Sequence, residues 1–429
     1  MIGIGYVGLP SAIEFAKAGF KVTGIDKDKY RVEKVNSGKT YITGIEDKEI
    51  KAVLNTSFSA VAVEDQGYDS VSKADIIIIS VPTPINEQCQ PVMDHILEVR
   101  NGIKEQIRKN QLLILESTVY PGTTEEIFLS MIKERNFSVG EDYWLVFAPE
   151  RINPGDKTYN LTNTPRLIGG VTEKCSGLAR HLYAVILKDP DRSLEQLLPV
   201  VSSPKIAETS KLLENSYRSI NIALMNEMAV ICSHMNIDVW AVIEAARTKP
   251  FGFSADFAPG PGVGGHCISS DPLFLSYVAM RSGYEPKLIN SAHRVNEAMP
   301  FHVVSIVIKI LNKFCKCLKG AKILFLGISY KNDVNDCRES PALKILGVLQ
   351  KYCAEISYYD PYISKVLIGE TEYKSIELDY DLISEFDCII ITTNHQNAGI
   401  DYIRIQQEAG LIIDTRHQYN GSFINVISV

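Results

Sequence analysis

The segment Gly3-Ile4-Gly5-Tyr6-Val7-Gly8 decides the first part of the fold, because it fits the pattern G-x-G-x-x-G that leads from a strand into a helix in dinucleotide-binding sheets. Asp26 ends the next apolar run, residues 21–26, at about the 20-residue spacing that such sheets show. A carboxylate there accepts hydrogen bonds from a ribose diol and repels a 2′-phosphate, which favours NAD over NADP. We therefore predict an NAD site made by Gly3, Gly5, Tyr6, Val7, Gly8 and Asp26.

The glycine motif alone has another explanation, since glycine turns are common and Asp26 could be an ordinary surface residue. The preceding apolar run and the spacing together favour the nucleotide site. Only Met1 and Ile2 precede the first glycine, so we expect an unusually short strand at the centre of this sheet.

Apolar runs rich in Ile and Val alternate with helical stretches in both halves of the chain, at residues 21–26, 74–81, 112–119 and 143–149, then at 322–327, 355–360, 386–393 and 411–414. This alternation is typical of doubly wound parallel sheets. From residue 204 to 247 apolar residues recur every three or four positions, which predicts a long central helix. We predict an α/β fold with two Rossmann-like domains, 1–203 and 313–429, joined by a central helical domain, 204–312.

Composition limits the possible partners. A net charge of −7 without a Lys/Arg-rich block argues against nucleic acid, and no apolar run is long enough to span a membrane. The nine cysteines show no regular spacing, and the N-terminus lacks the features of a signal peptide, so we expect a cytoplasmic protein with reduced thiols. No metal site is predicted.

Two further segments follow predicted strands, where a parallel sheet presents loops to its ligand. They are Val81-Pro82-Thr83-Pro84 and Glu116-Ser117-Thr118-Val119-Tyr120-Pro121-Gly122-Thr123-Thr124. Their prolines and hydroxyls suit a fixed backbone and neutral hydrogen bonding near a nicotinamide and a substrate. An ordinary β-to-α turn explains them equally well. Pro82, Thr83 and Thr118 are therefore candidates for the cofactor site.

The most informative stretch is Gly260-Pro261-Gly262-Val263-Gly264-Gly265-His266-Cys267-Ile268-Ser269-Ser270-Asp271-Pro272. Glycines before a cysteine allow close approach of the backbone to a ligand. If a helix begins at Cys267, Asp271 shares its face one turn later. A thiolate attacks an aldehyde, the product of a first alcohol oxidation, so Cys267 is the predicted nucleophile. The alternative, a small buried apolar residue, suits the other eight cysteines better.

The chain resembles the UDP-glucose/GDP-mannose dehydrogenase family, whose members oxidise a nucleotide sugar at C6 in two steps. The resemblance covers nearly the whole length, and its motifs occur in the expected order: GIGYVGLP, VPTP, ESTVYPGTT, APERINPG, KLLENSYRSINIALMNE, GPGVGGHCISSDP and YKNDVNDCRESPA. Several such motifs in order are far more specific than one dinucleotide fingerprint. The resemblance implies that residues 1–203 bind NAD, that residues 204–312 form a dimer or a larger assembly, and that residues 313–429 bind the UDP-sugar.

The resemblance also implies a role for each matched residue. Cys267 would form a thiohemiacetal and then a thioester, while Lys211 and Asn215 would stabilise the oxyanion. Asp271 would help to activate water, Thr118 would bond the catalytic water, and Glu150 would lie beside the nicotinamide and the reacting carbon. Arg338 would bind cofactor phosphate. Substrate ligands would be Arg151, Asn153, Lys211, Asn215, Tyr217, Gly264, His266, Lys331 and Arg416.

The chain departs from the family at one position and leaves the sugar open. UDP-glucose enzymes commonly carry another acid four residues after the glutamate, where this chain has Pro154. The sequences GPGVGGHC and TKPFGFSADFAPGPG resemble the N-acetylhexosamine branch, which favours UDP-GlcNAc, with the acetamido group near residues 251–261. UDP-ManNAc, UDP-GalNAc and UDP-glucose stay alternatives. Other classes are a single-step β-hydroxyacid dehydrogenase and an NAD-sensing binding protein.

Overall fold

The computed structural model describes residues 1–42, 44–65, 67–152, 158–253, 257–421 and 423–429. The chain divides into two compact units, residues 1–214 with 273–284 and residues 215–272 with 285–429. The helices are α1 (Gly8–Lys17), α2 (Lys29–Asn36), α3 (Asp47–Val53), α4 (Asp94–Ile103), α5 (Ser130–Glu134), α6 (Glu173–Ala184), α7 (Leu194–Leu197), α8 (Pro204–Met235), α9 (Val239–Arg247), α10 (His266–Arg281), α11 (Lys287–Lys313), α12 (Pro341–Lys351) and α13 (Tyr402–Glu408).

The first unit is built on a parallel sheet. Its strands are β1 (Val22–Asp26), β2 (Phe58–Ala62), β3 (Ile76–Ile79), β4 (Gln111–Leu115), β5 (Tyr143–Phe147), β6 (Ile168–Gly170) and β7 (Val200–Val201). β1 pairs with β2, and the remaining strands follow the order β3-β4-β5-β6-β7, parallel except between β5 and β6. Helices α4 and α5 pack on one face and α1 and α6 on the other, which makes the sheet doubly wound.

The opening strand is as short as the sequence predicts, yet it pairs on both sides. Ile2 forms parallel bridges to Ile25 and Ile79 and is 3% exposed. Its N–H donates to the backbone oxygen of Ile78 at 2.8 Å, and its own backbone oxygen accepts from Ser80 at 2.8 Å. This single residue therefore connects β1 to β3 and places the glycine turn at the carboxyl ends of the strands.

The second unit contains a second parallel sheet and two exposed strands. Its strands are β8 (Lys322–Leu326), β9 (Glu355–Tyr359), β10 (Lys365–Ile368), β11 (Thr371–Lys374), β12 (Cys388–Ile391), β13 (Ile412–Asp414) and β14 (Val426–Ser428). The main sheet has the order β14-β13-β12-β8-β9, and β10 and β11 form an antiparallel pair. Helices α11 and α12 pack on one face of the main sheet and α13 on the other. The predicted α/β class with two Rossmann-like sheets is confirmed.

The central helical region differs from the prediction in its last part. α8 has 32 residues, so a long central helix is confirmed, but it ends before residue 247. Asn236 adopts φ 54°, in the left-handed region where helices commonly end. Asp238 then caps α9, because its carboxylate accepts the N–H of Trp240 at 2.9 Å. Because the apolar spacing continues across this break, periodicity did not indicate that the segment forms two helices.

Several strands were not predicted, and their character explains why. β6 and β7 have 3 and 2 residues, too few to show a period of two. β10 and β11 have four residues each, and although Val366, Ile368 and Tyr373 pack on the core, the other side of each strand is exposed, so the pattern is short and weak. Strands β2 and β14 were also missed. Within the described ranges, no helix combines the length and apolar character needed to cross a bilayer.

Candidate active site

The glycine turn of the first unit has the shape that a dinucleotide requires. Gly3 adopts φ 85°, and a Cβ there would clash with the backbone oxygen of Ser80. A Cβ at Gly8 would clash with the backbone oxygen of Gly3. At Gly5, by contrast, the nearest atom to an added Cβ is Arg31 Nη1 at 3.8 Å. Two glycines therefore permit the tight turn, and the third leaves open space where a pyrophosphate can approach α1.

Asp26 lies at the end of β1 beside this turn and is 6% exposed. One carboxylate oxygen accepts the N–H of Ile4 at 3.0 Å, and the other accepts the N–H of Asp28 at 2.9 Å. Arg31 Nη1 lies 3.6 Å from Oδ2. A carboxylate has about four acceptor positions, so Asp26 keeps capacity for ribose hydroxyls. Tyr6, 39% exposed, and Val7 lie in the turn itself.

The loops after β3 and β4 are joined to each other. Thr83 Oγ1 donates to the backbone oxygen of Thr118 at 2.7 Å, and Val81 N–H donates to Ser117 Oγ at 2.8 Å. Thr83 is buried, Pro82 is exposed, and Thr118 is half-buried. Both predicted loops are thus hydrogen-bonded to each other at the carboxyl ends of their strands, where a parallel sheet places its ligand.

Glu150 and Lys211 meet within the first unit. Lys211 Nζ, at the start of the long helix, donates to the backbone oxygen of Glu150 at 2.6 Å. The Glu150 carboxylate accepts the N–H groups of Arg151 at 2.7 Å and Ile152 at 2.6 Å through Oε1. Arg151, a predicted substrate ligand, forms an ion pair with Glu214, with Nη2 at 2.7 Å from Oε1. The resemblance places Glu150 beside the reacting carbon, and the structure shows its carboxylate bonded to its own loop.

Three residues of this region, Glu116, Arg166 and Tyr183, were not singled out from sequence. Arg166 Nη1 donates to Glu116 Oε1 at 2.7 Å, and Arg166 Nη2 donates to Glu150 Oε2. Tyr183 OH donates to the same Glu116 oxygen at 2.6 Å. Burial raises the pKa of Glu116, although the nearby guanidinium opposes this shift. A charge directly after the apolar strand Leu112–Leu115 was a usable signal for Glu116, whereas nothing local marks Arg166.

Glu208, in the first turns of α8, was also missed. It is fully buried, and its carboxylate accepts the N–H of Gly122 at 2.5 Å, the N–H of Thr124 at 2.9 Å and Thr124 Oγ1 at 2.6 Å. These bonds fix the second half of the loop that contains Thr118. Acidic residues of helices are ordinarily exposed, so nothing in the sequence marked Glu208 as buried.

In the second unit, Cys267 is exposed in the first turn of α10, which begins at His266, one residue before the start considered from the sequence. Asp271 lies one turn later and is 2% exposed. Its Oδ2 accepts Asn215 Nδ2 at 2.6 Å, and its Oδ1 accepts Ser270 Oγ at 3.3 Å. The second unit therefore brings together three of the predicted catalytic residues, Cys267, Asp271 and Asn215.

The glycine run before Cys267 packs against the loop after β8. A Cβ at Gly264 would lie 2.8 Å from Tyr330 Cβ, and one at Gly265 would lie 2.8 Å from the Tyr330 ring. Gly265 N–H donates to the backbone oxygen of Arg338 at 3.2 Å. Lys331, next to Tyr330, is half-buried. The loop with predicted phosphate ligands thus supports the nucleophile segment directly.

Three other predicted ligands have defined surroundings. Arg416 Nε donates to the backbone oxygen of Thr392 at 2.8 Å, and burial lowers the pKa of Arg416 to about 10. Arg338 is paired with Asp336, with Nη2 at 2.7 Å from Oδ2. Tyr217 is 54% exposed and packs edge-on against Phe257, at a ring separation of 5.8 Å.

Parts of the predicted substrate site are not among the described residues. Asn153, a predicted substrate ligand, and Pro154 lie outside them, as do residues 254–256 of the segment expected near the acetamido group. The side chain of His266 is likewise outside the described part. Their roles stay predictions, as do those of the other site residues. Among the described residues, no group of three or more His, Cys, Asp or Glu side chains could hold a metal ion.

Comparisons with known proteins identify the family through three consecutive models. The NAD-binding domain of the UDP-glucose/GDP-mannose dehydrogenase family matches residues 1–187, its central domain matches residues 205–298, and its UDP-binding domain matches residues 324–421. The cofactor predicted from the glycine turn and Asp26 is confirmed by the first of these matches: the chain uses NAD.

Individual relatives agree with this assignment. UDP-N-acetyl-D-glucosamine 6-dehydrogenase of Pseudomonas aeruginosa is 34% identical over 365 residues, which cover 85% of this chain and 82% of that protein. UDP-N-acetyl-D-mannosamine dehydrogenase of Pyrococcus horikoshii is 34% identical over 397 residues, or 92% of this chain and 88% of that protein. The solved structure of the UDP-D-ManNAc dehydrogenase from Pyrococcus horikoshii has a TM-score of 0.87 at 30% identity and covers 100% of this chain and 97% of that chain. The chain therefore belongs to the UDP-glucose/GDP-mannose dehydrogenase family and is an NAD-dependent UDP-sugar 6-dehydrogenase.

Proposed function

We propose that this enzyme oxidises the C6 alcohol of a UDP-N-acetylhexosamine, with UDP-GlcNAc as the favoured substrate, to the uronic acid through a thioester on Cys267. The observation that carries the proposal is the arrangement in the second unit. Cys267 is exposed in the first turn of α10, and Asp271 lies one turn later, hydrogen-bonded to Asn215. A nucleophile with an acid one turn later on α10, and an amide of α8 bonded to that acid, suit acyl chemistry better than a single hydride transfer.

The residues of the chain carry the following steps. NAD, when bound, supplies a hydride acceptor for each of the two oxidations. The alcohol loses a hydride and its hydroxyl proton to give the aldehyde. Cys267 Sγ then adds to the aldehyde carbon, and the thiol proton ends on the oxygen, giving a thiohemiacetal. Loss of a second hydride and that proton gives a thioester. Water attacks its carbonyl carbon, the C–S bond breaks, and the acid and the thiol are released.

The polar residues around these steps have distinct tasks. Lys211 and Asn215 lie one turn apart on α8, and their ammonium and amide groups are suited to stabilise the developing oxyanion. Asp271 accepts from Asn215 and so orients that amide, besides assisting the attack of water. Thr118 would hold the attacking water. Pro154 stands where another acid is common in UDP-glucose enzymes, so hydrolysis relies on the remaining groups.

The N-acetylhexosamine branch is favoured by the segment before the nucleophile and by the relatives. His266 precedes Cys267, and the two relatives described above act on UDP-GlcNAc and UDP-ManNAc according to their names. These sugars are epimers at one ring carbon and differ by few hydrogen bonds. UDP-ManNAc, UDP-GalNAc and UDP-glucose are the alternatives to UDP-GlcNAc. The product would supply uronic acids for capsule or lipopolysaccharide O-antigen.

The proposal extends to assembly, domains and location. α8 exposes Leu224, Ile231 and Met235, the last with 60% of its surface accessible. Exposed apolar residues on a central helix suit contact with a second copy, so we propose a homodimer or a higher homo-oligomer. We also propose that residues 1–203 bind NAD, that 204–312 mediate assembly and that 313–429 bind the UDP-sugar. The cytoplasm, where nucleotide sugars and NAD are available, is the proposed location.

The first experiment measures NADH formed per sugar consumed, with UDP-GlcNAc, UDP-ManNAc, UDP-GalNAc and UDP-glucose supplied separately. We expect two NADH per molecule, with the highest kcat/KM on UDP-GlcNAc. One NADH per molecule would indicate a single-step β-hydroxyacid-type dehydrogenase instead. Binding of NAD without turnover of any sugar would favour an NAD-sensing protein.

The covalent step has its own variant. Cys267→Ser should retain NAD binding, because the cofactor fingerprint lies in residues 3–26, and should stall after the first oxidation. Loss of acid formation by about 1000-fold or more is expected when a nucleophile is removed. Cys317→Ser, an exposed cysteine near the end of α11, is the matched control and should behave as the wild type. Acid formation by the Cys267 variant at the wild-type rate would exclude the thioester.

A further inference from the structure

A buried ionic cluster at the carboxyl ends of β4 and β5 joins Glu150 to Glu116 and Arg166, two residues that have no task in the steps above. Glu116 directly follows β4, Glu150 lies three residues after β5, and Arg166 precedes β6. The Arg166 side chain is 5% exposed, and the Glu116 side chain is 0% exposed. The guanidinium donates to both carboxylates. Nη1 lies 2.7 Å from Glu116 Oε1, and Nη2 donates to Glu150 Oε2.

Stability alone is a poor explanation for this cluster. Taking charges out of water is costly, and apolar residues of similar volume often stabilise a protein equally well or better. Burial raises the pKa of Glu116, so its charged form is disfavoured where it lies. Within the described part of the chain, Glu116 Oε2 has no hydrogen-bond partner. The guanidinium also lies 4.5 Å from the centroid of the Tyr183 ring. Such an arrangement specifies an orientation more than it adds stability.

Glu150 connects Arg166 to Lys211. Its Oε2 is held by Arg166, and its Oε1 accepts the N–H groups of Arg151 and Ile152, at 2.7 and 2.6 Å. The carboxylate is thus turned back onto the loop that follows it and fixes the backbone there. The backbone oxygen of the same residue accepts Lys211 Nζ at 2.6 Å. A defined chain of contacts therefore runs from Arg166 through Glu150 to the ammonium group of Lys211.

We propose that Arg166 is a positioning residue for Lys211 and acts through Glu150. The inference rests on the proposed function, in which Lys211 stabilises the oxyanion. Arg166 is suited to this task because a planar guanidinium holds two carboxylates in fixed directions, whereas the ammonium group of a lysine acts as a point charge. Glu150 contributes through its backbone oxygen, which accepts from Lys211, and through its carboxylate, which Arg166 holds.

A double-mutant cycle on kcat tests this chain of contacts. Arg166→Lys keeps the positive charge but loses the planar guanidinium that holds two carboxylates. We expect kcat to fall by about 100-fold, the effect of a catalytic group misplaced by about 1 Å. The KM for NAD should change less than threefold. Lys211→Ala should lower kcat by about 100- to 1000-fold. If Arg166 acts through Lys211, the double variant equals Lys211→Ala within about twofold. If the two losses multiply, the proposal is wrong.

A matched control separates positioning from general destabilisation. Arg100→Lys alters an arginine that pairs with Glu134 at 2.7 Å in the same unit, away from the cluster, and should leave kcat unchanged. Thermal unfolding of each variant shows whether the chain folds. If Arg166→Lys is unfolded, Glu116→Gln keeps the guanidinium and weakens its other partner, and we expect about a tenfold lower kcat. A folded Glu116→Gln variant with wild-type kcat would overturn the proposal.

A measurement that does not need turnover keeps this inference distinct from the proposed function. In Arg166→Lys, hydrogen exchange at the amides of Arg151 and Ile152 should be at least about tenfold faster, because their acceptor is released. Acylation of the Lys211 amine, followed by mass spectrometry, should accelerate as well, while the amides of β5 keep wild-type exchange. If the wild type oxidises none of the sugars, the proposed function is wrong. The exchange and acylation rates then decide by themselves whether Arg166 positions Lys211. Unchanged rates at Arg151, Ile152 and Lys211 would refute the positioning role.

Discussion

The two parallel sheets place an acid at the same topological position and use it differently. In the first unit, Asp26 ends β1, which lies beside the opening strand, and accepts two backbone N–H groups, from Ile4 and Asp28. In the second unit, Asp360 follows β9, which lies beside β8, and is 3% exposed. Its carboxylate accepts the N–H groups of Ile328, Ser329, Tyr362 and Ile363 at 2.7 to 3.0 Å.

His395 completes the environment of Asp360. Its Nδ1 accepts the N–H of Asp333 at 2.9 Å, so Nε2 carries the proton and donates to Asp360 Oδ2 at 3.2 Å. Five donors occupy the roughly four acceptor positions of one carboxylate. Asp360 therefore has no capacity for a ribose diol, whereas Asp26 has. A nucleotide-binding topology does not by itself make a ribose site; the hydrogen bonds already formed by the acid decide.

The largest expected effect comes from the glycines before these acids. A methyl group at Gly8 would clash with Gly3, and one at Gly327, where φ is 76°, would clash with Thr393. We expect Gly8→Ala to weaken NAD binding by more than about 100-fold and each variant to lose about 3 kcal/mol of stability. Gly327→Ala should keep wild-type NAD affinity. Gly5→Ala has space and should fold normally. Calorimetric titration measures the NAD affinity, and urea unfolding measures the stability. Equal NAD affinities of the Gly8 and Gly327 variants would contradict the comparison.

The two acids should differ next in their contribution to stability. Asp360→Asn places an amide among five donors, and the loss of a buried charge-assisted network costs about 3 kcal/mol. Asp26→Asn replaces one of the two carboxylate oxygens, so one of its two backbone hydrogen bonds is lost. The free energy of unfolding should fall by about 1 kcal/mol. Urea unfolding at neutral pH gives both values. If the Asp26 variant loses as much free energy of unfolding as the Asp360 variant, or more, the two acids do not differ in their contribution to stability.

Cofactor choice should depend on Asp26 alone. Asp26→Ser removes the carboxylate that repels a 2′-phosphate, and Arg31 Nη1, now 3.6 Å from that carboxylate, becomes available to a phosphate. We expect the ratio of kcat/KM for NADP over NAD to rise by at least about tenfold, a change of about 1.4 kcal/mol. Asp360→Asn is the control and should leave the ratio unaltered. An unchanged ratio in the Asp26 variant would remove Asp26 from the ribose site.

The smallest effect is a difference in acid sensitivity. Burial disfavours the charged form of Asp360, but hydrogen bonds from His395 and from backbone N–H groups outweigh it and hold the pKa of Asp360 below its ordinary value. A carboxylate with a lowered folded-state pKa contributes its full stability above the unfolded pKa of about 3.9, and loses it as the pH falls through the folded pKa. Asp360→Asn should therefore lose less stability than the wild type between about pH 4 and pH 2. Parallel unfolding curves against pH would contradict this.

Much of the fold could be predicted because local pattern and tertiary environment agree. The buried strands Ile76–Ile79 and Gln111–Leu115 read as short apolar runs, and each lies within or close to its predicted range. The break at Asn236 could not be predicted from periodicity, because the apolar spacing continues across it and backbone geometry there depends on φ of one residue. β10 and β11 were missed because each has only four residues and an exposed side, so the apolar residues that pack on the core, such as Val366 and Ile368, form too short a pattern.

For the site, residue type was enough to predict candidates where the chemistry demands a particular residue. The G-x-G-x-x-G glycines, an acid after the next strand and a cysteine after a glycine run are all readable in the chain. Arg166 lies 50 residues from Glu116, and Glu208 lies 86 from Gly122, so neither contact leaves a local pattern. Their partners are chosen by strand order and helix packing, which a single sequence does not report.

The sequence by itself therefore determined the class of the protein and its cofactor and predicted Cys267 as the nucleophile, because steric need for glycine and the reactivity of a thiol are properties of the residues. Tertiary structure decided the rest. It saturated Asp360 with five donors while Asp26 received two from the backbone, and it turned the Glu150 carboxylate toward Arg166. The physical reason is that a hydrogen-bonding group can serve a ligand only if folding leaves its lone pairs unused, and folding assigns those partners from distant parts of the chain.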